Sequence, residues 1–179
     1  MSAGFRTSSG NLITFEIEGV EEVQTQLDQL ADDLKATAAF VMVSQVGDQV
    51  KTWMQDYVLA QGLYKTGALY NSIYSVAVLT DEGAYAEVGP DAANVKYALI
   101  QNYGGTIPRH WIAPVNAQAL HWESGGKDYF SKGHYVGPSV IPARPYIEPA
   151  FEEHQEEILS IMMEVLENAI ATELARAEW

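Results

Sequence analysis

The chain of 179 residues suits a domain that buries its own core, and without cysteine it can form neither a disulfide framework nor a thiolate metal site. Twenty-four acidic residues face ten basic ones, a formal net charge of −14. That balance removes any whole-molecule attraction for a phosphate backbone and argues against a protein that reads nucleic acid by contact.

No apolar run approaches the roughly 20 residues of a bilayer span. The start, Met1-Ser-Ala-Gly-Phe-Arg, lacks the charged-then-apolar pattern of a secretory leader. A soluble protein made in the cytosol, with no membrane partner, is expected. The carboxylate excess has two readings: a solvated surface, or a channel wall that repels DNA.

Residues 2–10 are small and polar and suggest a flexible arm over 1–10. Leu12-Ile-Thr-Phe-Glu-Ile-Glu alternates loosely up to Gly19, as a first strand would. Apolar residues then step by three and four: Val20, Val23, Leu27, Leu30 and Leu34, followed by Val41, Val46, Val50, Trp53 and Tyr57. A long helix over about 19–60 is expected, with a break near 36–39 or at Gly47, and Gly62 ends it.

Lys65-Thr-Gly-Ala-Leu-Tyr-Asn-Ser-Ile is a turn and a short helix. Residues 73–79 and Ala84-Tyr-Ala-Glu-Val-Gly-Pro pair as an antiparallel hairpin across Thr80-Asp-Glu-Gly, with Val76 and Val78 on one face. Residues 95–103 predict a short helix capped by Gly104-Gly105.

From 106 to 140 proline and glycine punctuate two strand-like pieces, Trp111-Ile-Ala-Pro-Val and Ala119-Leu-His-Trp, around the tip Ser124-Gly-Gly-Lys-Asp. A long hairpin that projects from the main sheet, or lies over it, is expected. Trp111, Trp122, Tyr129, Phe130 and Tyr135 stud it. They cover a small core edge, or they form a contact arm.

Ile141-Pro-Ala-Arg-Pro-Tyr-Ile-Glu-Pro-Ala is rigid and extended, and Pro149 can open a helix over 150–177. Phe151, Ile158, Leu159, Met162, Leu166, Ile170 and Leu174 would line one face of that helix. Glu152, Glu153, Glu156 and Glu157 load its first turns, where the helix dipole favours them.

The sequence offers little for catalysis. His110, His121, His134 and His154 show no HExxH or paired short spacing. A metal site from the first three with Asp128 is conceivable in space, and would suit a metal-dependent hydrolase. There is no GxSxG elbow, no cysteine nucleophile, and no Lys-Ser/Thr after the glycine pairs, so no catalytic residue, cofactor or metal ligand is assigned.

Three pieces in order carry a resemblance. They are Lys65-Thr-Gly-Ala-Leu-Tyr-Asn-Ser-Ile; Ala84-Tyr-Ala-Glu-Val-Gly-Pro with Tyr97-Ala-Leu-Ile-Gln-Asn-Tyr-Gly-Gly; and Ile141-Pro-Ala-Arg-Pro-Tyr-Ile-Glu-Pro-Ala. Together they resemble the minor tail component and neck protein family of lambda-like phages, and the related virion-morphogenesis, or tail completion, family of Mu-like phages. Asn116-Ala-Gln-Ala-Leu-His-Trp is similar to a hairpin element of the latter. The likeness covers the chain from Lys65 onward, and Tyr146 stands where Phe is commoner.

The resemblance implies one α+β domain over 1–179: a long N-terminal helix and a C-terminal helix packed on a small antiparallel sheet, with a projecting hairpin. It implies a virion protein assembled in the host cytoplasm. Its partners would be copies of itself in a ring (a hexamer preferred), a head-closure or adaptor ring, and tail tube proteins, with DNA passing through unbound. On that reading Trp111, Trp122, Tyr129, Phe130, Tyr135, Arg144 and Tyr146 are candidate subunit or partner contacts. Arg144 would first pair with a carboxylate that pins the C-terminal helix to the sheet. Asp81, Glu152, Glu153 and Glu156 are candidate channel-facing carboxylates. A soluble adaptor that forms no ring is the remaining alternative.

Overall fold

The computed structural model describes residues 5–8, 12–15, 32–80 and 83–177. Helices and small antiparallel sheets make an α+β protein. Two short strands come first, β1 (Phe5–Ser8) and β2 (Leu12–Phe15), paired antiparallel. The apolar pattern of 20–30 lies outside the described residues, as does Asp81.

Helix α1 spans Asp32–Ala60. Its buried apolar side chains are Ala38, Met42, Val46, Val50, Met54 and Val58, every fourth residue. At about 100° per residue, each such step advances the stripe by about 40°. The buried face therefore winds around the helix and meets different partners along its length. Met42 packs with Val165 and Leu166, whereas Val46 to Val58 join a larger core with Leu69, Ile73, Val88, Tyr146 and Ile158. Val46 and Val50 are buried as the sequence pattern predicts, while Val41, Trp53 and Tyr57 flank the stripe half-buried.

The break expected near 36–39 or at Gly47 does not occur: α1 runs through both. Gly47 has a packing role instead. A Cβ there would lie 2.6 Å from Ser75 Oγ and 3.0 Å from Ala86 Cβ, so glycine lets the helix approach the hairpin closely. The helix closes in a Schellman motif: Leu63 N–H donates to Val58 O (2.9 Å) and Gly62 N–H to Leu59 O (3.0 Å).

After the short helix α2 (Ala68–Ser72), strands β3 (Ile73–Thr80) and β4 (Gly83–Pro90) form the expected hairpin, with Ser75 opposite Val88 and Val76 opposite Glu87. Ser75, Ala86 and Val88 meet α1 at Gly47. Val76, Val78 and Tyr85 lie on the other face, where Val76 and Tyr85 stay exposed.

The C-terminal segment enters the core at Tyr146 and Ile147, both fully buried. Pro149 opens a helix as expected, but this helix is not continuous over 150–177. It is a single turn, α4 (Pro149–Glu152), then a break at Glu153 and His154, then α5 (Gln155–Ala177). The cause is tertiary. His154 stacks flat on Trp53, with centroids 4.0 Å apart and planes 5° apart, and Glu153 accepts a hydrogen bond from Tyr57 Oη. Helix α5 restarts with Ile158 N–H donating to His154 O at 3.0 Å.

The chain divides into two compact units, Met1–Ala98 with Pro145–Trp179, and Leu99–Arg144. The second unit follows the start of helix α3 (Ala98–Tyr103). It is a long hairpin in three nested ladders: β5 (Gly105–Ile107) pairs with β10 (Ser139–Ile141), β6 (His110–Ile112) with β9 (His134–Val136), and β7 (Leu120–Ser124) with β8 (Lys127–Ser131). Pro108, Pro114 and Pro138 stand in the gaps between ladders, where no ladder N–H is required. The base is tied by Arg144 N–H donating to Gln101 O at 2.8 Å. At the tip, Gly125 and Gly126 have φ of 59° and 71°, the left-handed pair that a two-residue hairpin turn requires.

Candidate functional site

The ladder registers place the hairpin's aromatics in cross-strand pairs. Trp122 is opposite Tyr129, and their rings stack at 5.6 Å with planes 15° apart. The next pair, on the opposite face, is His121 with Phe130, stacked at 4.8 Å. Trp111 is opposite Tyr135, edge to face at 5.1 Å. Such pairs stiffen a two-stranded ribbon that would be marginal alone. They do so without being buried: Trp111 is 54% exposed, Phe130 69% and Tyr135 58%. The sequence left open whether these aromatics cover a core edge or present a surface. All five rings remain exposed.

Four contributors were invisible in the sequence pattern. The Arg109 guanidinium sits 4.5 Å above the Tyr135 ring. His134 tilts against Trp122 at 4.8 Å. Val115 and Val140, 92% and 76% exposed, add apolar area. Only the pairing register reveals the first two, because their partners are 26 and 12 residues away in the chain.

One expected contact does not belong to this surface. Tyr146 is fully buried, and its hydroxyl donates to Ala98 O at 3.1 Å, so it serves the core and offers nothing to a partner. Arg144 is exposed. Glu152, Glu153 and Glu156 are exposed, as a solvated or channel-facing role needs, though Glu153 is engaged by Tyr57. That hydrogen bond, with burial second, pushes the Tyr57 hydroxyl up to about 12, because ionisation would remove the donated proton and then set a charge against the Glu153 carboxylate.

The histidines do not assemble a metal centre. His121 Nε2 lies 2.6 Å from Asp128 Oδ1, while His110 Nδ1 faces Pro108 O at 2.9 Å and His134 packs on Trp122. Among the described residues no three metal-ligating side chains gather. The hydrolase alternative therefore gains no support from these loops. No family model matches the chain, and neither a curated protein nor a solved structure shows significant similarity to it.

Proposed function

We propose that this chain is a structural ring subunit of the neck or upper tail of a long-tailed phage, joining head connector to tail while DNA passes through. The observation that carries the reading is the nested hairpin of Leu99–Arg144. It is rigidified by Trp111–Tyr135, Trp122–Tyr129 and His121–Phe130 pairs, yet it leaves those aromatics in solvent. Exposed, preorganised aromatics lower the ordering cost of association and make good anchors. The ordered motifs at Lys65, Ala84, Tyr97 and Ile141 supply the resemblance to neck and tail completion proteins. Glu152, Glu153 and Glu156 suit a wall that repels passing DNA.

The test is cryo-electron microscopy of the assembled particle. The expected result is this chain as a closed ring around the DNA channel between portal and tail. Its absence from mature virions would remove the reading. A ring with a neutral or basic lumen would remove only the role given to the carboxylates.

A further inference from the structure

The two units carry opposite charge. Leu99–Arg144 holds four basic residues, Arg109, Lys127, Lys132 and Arg144, against the acidic Glu123 and Asp128, a net of +2. The rest of the chain has six basic and 22 acidic residues, a net of −16. In proportion to its 46 of 179 residues, the hairpin unit would hold about six of the 24 carboxylates, yet it holds two. One of these, Asp128, already faces His121.

The positive charge shares the aromatic surface. Arg109 lies over Tyr135, and Lys127 closes the tip of the ladder that carries Trp122, Tyr129 and Phe130. Lys127 and Lys132 are exposed. On the helical body, Glu152, Glu156, Glu164 and Glu167 are exposed.

We infer that the cationic, aromatic hairpin docks on the acidic helical body of a second copy of this chain. Two copies at −14 each repel at long range, so only an orientation that sets the +2 unit against the −16 body is favourable on approach. The exposed aromatics then supply the anchors that lose water. Because the two faces differ, the contact is heterologous and repeats from copy to copy, closing into a ring when the rotation allows. The inference deepens the ring reading and rests on it only for closure. A nucleic acid is a poorer occupant, since the whole molecule would repel its phosphates.

The test mixes nitrogen-15-labelled and unlabelled protein at low ionic strength, joins lysines to carboxylates with a carbodiimide, and maps the products by mass spectrometry. Expected are links from Lys127 or Lys132 to carboxylates of 32–98 or 145–179 that pair one heavy and one light peptide. Sedimentation should show self-association that is lost as the Debye length falls to about 3 Å, near 1 M salt. Lys127→Glu with Lys132→Glu should weaken it about tenfold or more. Phe130→Ala should weaken it while leaving the salt dependence in place. These side chains are exposed, and circular dichroism checks that each variant stays folded. Links found only within single-isotope species, or association indifferent to both variants, overturn the inference. Mixed-isotope links from a chain that microscopy does not find in the neck would uphold self-docking and defeat the neck reading. A neck ring without such links would do the reverse.

Discussion

Gly47 and Ser75 meet where helix α1 crosses the β3–β4 hairpin, so closely that a methyl group on Gly47 would sit 2.6 Å from Ser75 Oγ. Glycine inside a helix costs about 1 kcal/mol relative to alanine. Here the approach it permits outweighs that cost, because Ala86 and Val88 crowd the same spot. Gly47→Ala should therefore destabilise the protein by about 1–3 kcal/mol in urea unfolding, despite the better helix former. Ser75→Gly on that background should recover part of the loss. A Gly47→Ala variant more stable than the parent would show that the helix and hairpin can separate without penalty.

Tyr146 is a core residue whose hydroxyl donates a hydrogen bond to Ala98 O. Tyr146→Phe keeps the ring and leaves that carbonyl short of a donor, at an expected cost of about 1–3 kcal/mol. Tyr146→Ala removes the ring as well and should cost about 3–5 kcal/mol. Thermal unfolding of the two variants measures both. A Tyr146→Phe variant as stable as the parent would mean that the hydroxyl contributes nothing.

What the sequence revealed depended on whether the cause was local. The β3–β4 hairpin and the 106–140 hairpin were legible because glycine and proline mark their ends and tip. The break at Glu153 and His154 was not, because both residues tolerate a helix and the cause lies 96 and 101 positions away, at Tyr57 and Trp53. The α1 stripe was read through bulky Trp53 and Tyr57, whereas the buried line is Met42, Val46, Val50, Met54 and Val58. A pattern of threes and fours fits both lines, and only the partners of each turn decide between them. Tyr146, between two prolines of a rigid segment, looked like a contact for the same reason: nothing local shows that it points into the core.

The Tyr57 hydroxyl, held at about 12 by Glu153, predicts a pH effect at the alkaline end. Its protonated form is favoured in the folded protein relative to the unfolded chain, which titrates near 10. The stabilisation is thus complete below pH about 10 and lost as pH rises towards 12. Ultraviolet titration should show Tyr57 among the late-ionising tyrosines, with Tyr74, whose hydroxyl burial also pushes up. Tyr57→Phe should remove one tyrosine from the late step, and Glu153→Gln should bring the ionisation of Tyr57 down towards 10. A late ionisation of Tyr57 that survives Glu153→Gln would assign the shift to burial instead.

The tip of the aromatic hairpin turns on Gly125 and Gly126, both in the left-handed region with open space around their Cα atoms. Residue choice there is governed by backbone conformation alone. Asparagine tolerates that region, so Gly125→Asn should leave the hairpin intact. A β-branched residue does not, and Gly126→Val should cost about 1–2 kcal/mol of local strain. Because the Trp122–Tyr129 and His121–Phe130 stacks depend on this register, the strain should loosen β7 and β8 first. Amide hydrogen exchange should lose protection across Leu120–Ser131 while α1 keeps its own. Loss of protection spread equally over α1 would mean that the hairpin and the helical body unfold as one cooperative unit.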